Sequence, residues 1–393
     1  MNRCQNVVAR FIELIGLMNQ ATTLPMNWHA TFTINMVLKI MPKKQSPPAK
    51  IKAKTKIAIN GLGRIGRILL RQIWNNPNFE IVALHSRSGL DVYAHLLKYD
   101  STYGVWDKEV SVKRGNLVID GKVFPFVQEK DGKLPWKALK VDLVIDATGK
   151  YTKKEAAAKH LIDGAKYMMV TAPMEDADET FVYAVNHKNF NPETNKIISA
   201  ASCTTVCSSL TTKVLEENFG VKQEFINTVH AFTSDQSILD SSHKDFRRAR
   251  TASQSIIPTS TGVSKTIVKI YPHLKGKISA ISLRVPALNP SIACFTAVLK
   301  TKTTKEAVNK AFIKASQGEL KNHLAASNLP LVSVDYKGNP NGAIVDLLST
   351  DVVDGNLLSA LVWYDNEWGY SQQTVYLIEY LCKEIAAYKQ KMK

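Results

Sequence analysis

The chain has 393 residues, 45% of them hydrophobic and 22% charged. Those proportions exclude a disordered, collagen-like or coiled-coil chain and leave room for two domains, or three, with at least one large core. The net charge of +17 raises nucleic acid, anionic membranes and phosphorylated ligands as partners. However, nine basic residues against one acid, Glu13, fall within residues 1–56, so nearly half of the excess belongs to the N-terminus.

That N-terminal segment differs from the rest. Residues 5–18 carry a helix-like apolar pattern interrupted by Gly16, and residues 42–56 (PKKQSPPAKIKAKTK) read as a solvated linker. Residues 1–54 are read as a disordered basic extension or an upstream start, with Met18, Met26, Met36 and Met41 as later starts. On that reading the protein is cytoplasmic. The alternative is an organellar transit peptide. Ser46 as the one serine and the few arginines in the stretch weigh against it. Five cysteines without a Cys-x-x-Cys pair indicate a reducing compartment. No metal site is expected, and the chain lacks the run of apolar residues that a membrane-crossing helix needs.

The first element of the body is a short apolar strand, KIAIN at 56–60. Gly61-Leu62-Gly63-Arg64-Ile65-Gly66 follows, and then RILLRQIW with apolar residues at helical spacing. Strand, G-x-G-x-x-G and helix in this order form a dinucleotide-binding unit. Gly61 makes the tight turn, Gly63 lets the backbone approach a pyrophosphate, and Gly66 permits close helix–strand packing. The helix N-terminus offers unpaired N–H groups to the phosphates.

The second strand, EIVALHS at 80–86, ends without the carboxylate that an NAD site places against the ribose 2′-hydroxyl. Ser86 and Arg87 stand there instead. The missing negative charge and the added guanidinium favour a 2′-phosphate, so NADP is expected over NAD. A solvated Arg87 is the plain alternative. A third apolar run, VDLVIDATG at 141–149, brings Thr148 and Gly149 to the same crevice.

Residues 200–207 read AASCTTVC, and the spacing predicts a helix over 204–218 ended by Gly220. Cys203 then lies at a helix N-terminus, where the dipole favours thiolate. Cys207, one turn on, reads as a buried small residue. A thiolate nucleophile wants a basic partner. His230, at the end of the apolar run FINTVH, is one candidate among nine histidines, and a purely structural histidine fits the pattern as well.

These residues belong to a longer series of ordered matches. NGLGRIGR at 60–67, HLLKYDSTYG at 95–104, ASCTTVC at 201–207, TVHAFTSDQ at 228–236, HKDFRRAR at 243–250, IIPTSTG at 256–262, SLRVPALN at 282–289 and WYDNEWGYS at 363–371 resemble the glyceraldehyde-3-phosphate dehydrogenase family. The resemblance covers about residues 55–393. It implies an α/β fold: a Rossmann-like dinucleotide-binding domain (55–202 and 366–393) and an α+β catalytic domain with a mixed sheet (203–365).

The implied reaction joins glyceraldehyde 3-phosphate and inorganic phosphate as 1,3-bisphosphoglycerate. It runs through a Cys203 thioester, with His230 as base and NADP, or NAD, taking the hydride. By the same resemblance, Gly61, Gly63, Arg64, Ile65, Gly66, Ser86, Arg87, Thr148, Gly149 and Asn366 hold the cofactor, with Asn366 on the nicotinamide carboxamide. Thr233 and Arg284 take the substrate phosphate. Ser202, Thr204, Thr261 and Gly262 take inorganic phosphate, and Arg248 bridges the two. A homotetramer is implied.

Three residues depart from the family pattern: Ser86 in place of an aspartate, Ser241-Ser242 in place of Leu-Pro, and Val206 in place of an asparagine. The first two point to NADP, and the third puts turnover in question. Erythrose-4-phosphate dehydrogenase is the nearest alternative enzyme. A nucleic-acid binder with a vestigial enzyme body is an alternative of another class, although the extension lacks interleaved aromatic and basic residues.

Overall fold

The computed structural model describes residues 54–129 and 132–392. The expected extension, with its helix-like stretch, lies outside these residues up to residue 53; the expected linker is corrected at its end, because Thr55 and Lys56 already belong to the first strand, where Thr55 is buried.

The described chain is built on two seven-stranded sheets. The first contains β1 (Thr55–Asn60), β2 (Phe79–His85), β3 (Phe126–Val127), β4 (Leu143–Asp146), β5 (Tyr167–Val170), β6 (Glu179–Thr180) and β7 (Ile197–Ser199). Every pairing is parallel, in the order β6-β7-β5-β4-β1-β2-β3. Ile57 and Ile59 of β1, Leu84 of β2 and Leu143 and Ile145 of β4 are buried, as strands covered on both faces must be. Helix α1 (Arg64–Ile73) follows β1 and buries Ile68, Leu69 and Ile73.

Because β2 lies on one side of β1 and β4 on the other, the strand order reverses beside β1. A crevice opens there at the carboxyl ends of the strands. Gly61 turns the chain into it at φ +100°, and a Cβ at Gly61 would stand 2.8 Å from Thr148 Cγ2. A Cβ at Gly66 would stand 1.9 Å from the Gly61 carbonyl oxygen, so only glycine lets α1 start this close to its strand.

Helix α2 (Cys203–Phe219) leads into the second sheet. Its strands are β8 (Val221–Ala231), β9 (Ile257–Thr259), β10 (Ile278–Val285), β11 (Ser291–Leu299), β12 (Leu324–Ser327), β13 (Ala343–Val353) and β14 (Leu357–Tyr364). The order is β9-β10-β8-β11-β14-β13-β12. Two pairings, β8 with β10 and β12 with β13, are parallel and the rest antiparallel. One face packs Ile226, Phe295 and Val345 against Leu210 of α2, Ile267 and Phe312. The other face leaves Phe225, Ile281 and Leu357 exposed.

The last helix, α5 (Trp368–Lys391), is counted after α3 (Val263–Ile270) and α4 (Lys305–Gln317). It returns to the first sheet, packing Leu377, Ile378 and Leu381 with Ile57, Ile59 and Leu69. Thr55 Oγ1 donates to the Cys382 carbonyl at 2.8 Å, which fastens β1 to this helix. No helix among the described residues is long and apolar enough to cross a membrane.

Candidate active site

Two clefts take up almost all of the residues singled out in the sequence. The first, about 410 Å³, is lined by Gly61, Gly63, Ser86, Arg87 and Thr148. The second, about 710 Å³, is lined by Arg64, Ile65, Thr148, Gly149, Ser202, Cys203, Thr204, His230, Thr233, Arg248, Thr261, Gly262, Arg284 and Asn366. Thr148 belongs to both. Gly66 lines neither, since it is packed beneath the Gly61 carbonyl.

The floor of the first cleft is a buried polar chain that sequence reading missed. Asn60 Nδ2 donates to Asp146 Oδ2 at 2.7 Å, and Asn60 Oδ1 meets His85 Nδ1. Trp136 Nε1 donates to His160 Nδ1 at 3.0 Å. Burial pushes the Asp146 carboxyl up to about 6, although bonds from Thr148 and Asn60 oppose it, and burial pushes His160 down to about 4. Above this floor the walls carry two cations, Arg87 and Lys150, and one carboxylate, Glu129, among the described residues. Lys150 follows directly on the Thr148-Gly149 pair and carried no sequence signal of its own.

The Arg64 side chain is held by partners within the protein. Its Nε and Nη2 donate to Glu367, the former at 2.9 Å, and its Nη1 donates to Asp100 at 2.5 Å. Burial pulls its pKa down, but the Glu367 and Asp100 carboxylates outweigh it and push the pKa up. With the guanidinium so occupied, Arg64 offers a dinucleotide its backbone N–H in the unpaired first turn of α1.

The second cleft gathers residues from α1, α2, β8, β10 and α5 and from the loops between elements. Ser202 caps α2, its Oγ accepting the Thr205 N–H at 3.2 Å. Cys203 is the first helical residue, and His230 is the last residue but one of β8. Cys203 Sγ and His230 Nε2 are 3.5 Å apart. His230 Nδ1 is 2.6 Å from the Ala231 carbonyl oxygen, a contact that calls for a proton on Nδ1, and 2.9 Å from Arg284 Nη1, a donor that calls for a bare nitrogen. In the tautomer that donates to Ala231, Nε2 is bare and faces the thiol.

The helix N-terminus was expected to lower the thiol pKa. The structure adds an opposing effect: burial pushes the Cys203 thiol up, against Thr204 and Arg284, which pull it down. Burial, and then Arg284, push His230 down to about 3. Neither group charges readily alone. Moving the proton from Sγ to Nε2 charges both at once, and at this separation their attraction is about 5 kcal/mol at an effective dielectric of 20. The thiolate thus depends on His230 as well as on the helix.

Arg284, opposite His230 in β10, donates through Nη1 to the Ala231 carbonyl at 3.0 Å, and its buried Nε has no partner in the protein. A guanidinium edge without a partner in a cleft suits an anionic oxygen. Arg248 is more committed. Its Nη1 pairs with Asp235, and its Nε donates to Thr259 Oγ1 at 2.8 Å. Arg250 pairs with Asp240 in its own loop. The Thr204 hydroxyl meets Tyr364 OH at 3.0 Å. Tyr364, Asp235 and Glu367 are further polar residues of this region that sequence reading did not single out.

Val206 lines neither cleft. It is buried in the core of the second sheet, and a Cβ at Gly342 would lie 2.7 Å from its Cγ1. The missing side chain at Gly342 makes the room that Val206 fills.

Comparison with known proteins agrees with this geometry. Residues 55–154 match the model of the glyceraldehyde 3-phosphate dehydrogenase NAD binding domain, and residues 202–366 that of the C-terminal domain of the same family. The chain is 46% identical over 330 residues to glyceraldehyde-3-phosphate dehydrogenase of Geobacillus stearothermophilus, covering 84% of this chain and 98% of the relative. It is 45% identical over 330 residues to glyceraldehyde-3-phosphate dehydrogenase 1 of Bacillus subtilis, with the same coverage. It is 42% identical over 334 residues to glyceraldehyde-3-phosphate dehydrogenase 2 of Trichormus variabilis, covering 84% and 99%.

Proposed function

The chain belongs to the glyceraldehyde-3-phosphate dehydrogenase family and is an NAD(P)-dependent oxidoreductase acting on a phosphorylated aldehyde and phosphate; from that premise we propose a Cys203 thioester route with NADP as the preferred cofactor. The observation that carries the route is the Cys203–His230 pair, 3.5 Å apart, in a cleft shared with Arg284.

In this reading His230 Nε2 takes the thiol proton as Sγ bonds to the aldehyde carbon, and returns it to the carbonyl oxygen, giving a thiohemiacetal. It takes that hydroxyl proton again as the C1 hydride leaves and the carbonyl re-forms as a thioester. The nicotinamide supplies the hydride acceptor. Inorganic phosphate then attacks the thioester carbon, the C–S bond breaks, and the acyl phosphate leaves. The sulfur recovers its starting state with one proton released to solvent. Arg284 and Thr233 hold the substrate phosphate. Ser202, Thr204, Thr261 and Gly262 hold the attacking phosphate, with Arg248 oriented between them by Asp235.

The cofactor fits the crevice: the tight turn at Gly61 and the absence of any protein atom closer than 3.9 Å to a Cβ at Gly63 leave the loop open to a pyrophosphate. Gly61, Gly63, the backbone of Arg64 and Ile65, and Gly149 cradle the dinucleotide, with Gly66 behind them. Asn366 meets the carboxamide. The NADP preference rests on Ser86 and Arg87, with Lys150 adding a second cation to the same cleft.

Exposed Phe225, Ile281 and Leu357 on the free face of the second sheet support a homotetramer. Free Cys203, Cys207, Cys294 and Cys382 suit the cytoplasm. Sedimentation and cell fractionation test these two points.

The deciding experiment is the initial rate of glyceraldehyde 3-phosphate oxidation with NAD⁺ and with NADP⁺, each with and without phosphate. A phosphate-dependent rate with higher kcat/KM for NADP⁺ is expected. A faster rate with NAD⁺ removes the cofactor preference. A rate indifferent to phosphate removes the phosphorolysis step and favours erythrose 4-phosphate chemistry.

A further inference from the structure

We infer that Ser291 is a positioning residue for hydride transfer: its hydroxyl links the strand end that carries His230 to the amide of Asn366 and fixes which end of that amide faces the cleft. The inference rests on the reading of Asn366 as the residue that meets the nicotinamide carboxamide.

Ser291 opens β11 and pairs with Tyr364 at the end of β14, two residues before Asn366. Both Ser291 and Asn366 are buried. The Ala231 N–H donates to Ser291 Oγ at 3.0 Å, and Ser291 Oγ lies 3.0 Å from Asn366 Oδ1. A backbone N–H can only donate, so the serine oxygen is the acceptor there, and in the orientation the amide takes in the structure the serine proton goes to Asn366 Oδ1. The Asn366 oxygen is thereby occupied, and its NH₂ is the end left to the cleft that Asn366 lines. An amide held this way donates to a carbonyl and refuses a donor. Without the hydroxyl, this hydrogen bond no longer favours one end over the other.

The surrounding turn is independently secured. Asp365 Oδ1 accepts the Glu367 N–H at 2.9 Å, the Trp368 N–H at 2.7 Å and the Tyr103 hydroxyl at 2.8 Å. Loss of Ser291 should therefore free the amide without dissolving the turn. On its other side, Ala231 is the residue whose carbonyl oxygen lies 2.6 Å from His230 Nδ1 and accepts from Arg284 Nη1. One hydroxyl thus keeps the base and the carboxamide partner in common register.

The test is a double-mutant cycle on the full chain, comparing the parent, Ser291→Ala, Asn366→Ala and the double variant. The readouts are kcat/KM for the faster of NAD⁺ and NADP⁺ and the primary deuterium isotope effect with C1-deuterated glyceraldehyde 3-phosphate. Ser291→Ala is expected to lower kcat/KM for the cofactor by roughly five- to tenfold, as loss of one neutral hydrogen bond allows. The isotope effect should rise, and the double variant should fall no further than Asn366→Ala. A merely structural serine would leave the isotope effect where it was. If Ser291→Ala folds poorly, Ser291→Cys, close in size but a weak hydrogen-bond partner, takes its place. An effective Asn366→Ala beside an inert or fully additive serine variant overturns this inference alone. An inert Asn366→Ala overturns the reading of Asn366 and this inference with it.

Discussion

The two clefts bind charge in opposite ways. In the first, Arg87 and Lys150 stand exposed at the ends of parallel strands, and the identity of a side chain decides what the cleft attracts. In the second, buried His230 and half-buried Cys203 and Arg284 lie beside one another, and burial decides how readily each is charged. The lesson is that substitution at the first cleft should change preference, whereas substitution at the second should change chemistry.

The largest effect expected is at the nucleophile. Cys203→Ala should reduce phosphate-dependent oxidation by roughly 10⁴-fold or more, measured by NAD(P)H formation, with no acyl-enzyme trapped on quenching. Residual turnover within tenfold of the parent would break the comparison at its centre.

His230→Ala should lower kcat by roughly 10²- to 10⁴-fold. Its pH behaviour is more telling. Burial raises the thiol pKa, and an imidazolium beside it lowers it, so removing the imidazole leaves the upward shift unopposed from that side. Alkylation of Cys203 by iodoacetamide should then require a higher pH than in the parent. An unmoved alkylation profile would mean that the helix N-terminus alone sustains the thiolate.

The first cleft predicts a smaller effect of a different kind. Ser86→Asp with Arg87→Ser should lower kcat/KM for NADP⁺ by roughly ten- to a hundredfold, leaving that for NAD⁺ equal or higher. Equal losses with both cofactors would show that this cleft does not discriminate between them.

The smallest effect concerns burial without a cleft. Glu224 in β8 is buried with Thr212 Oγ1 donating to it at 3.0 Å, and burial pushes its carboxyl up to about 7 from 4.5. A raised carboxyl pKa means that the unfolded chain ionises first. Its contribution to stability is therefore complete below about pH 4.5 and is lost as pH rises through 7. Glu224→Gln should flatten the fall of Tm between pH 5 and pH 8 by a few degrees while leaving kcat unchanged. An unchanged slope would show that water or neighbouring groups relieve the buried charge.

Local pattern carried much of this protein. A strand, G-x-G-x-x-G and a helix announce the dinucleotide crevice because Gly61 and Gly66 answer backbone constraints within a dozen residues. The run ending at Gly220 marks the helix that Cys203 opens, since caps are local. The end of β2 shows the missing carboxylate at Ser86 for the same reason.

What the sequence could not determine depends on contacts across long separations. Arg64 lies in the G-x-G-x-x-G loop, and only the fold shows that Glu367, 303 positions away, takes its guanidinium. Val206 reads as a defect in a catalytic motif until Gly342 shows the space it fills. His230 is one of nine histidines until β8 and α2 bring it to Cys203, and its protonation follows from burial that no neighbouring residue in sequence reveals. Ser291 carried no signal at all, because its role lies in two hydrogen bonds reaching 60 and 75 residues along the chain. Tertiary structure decides such matters because hydrogen-bond direction and desolvation belong to atoms in contact, and only the fold determines which atoms those are.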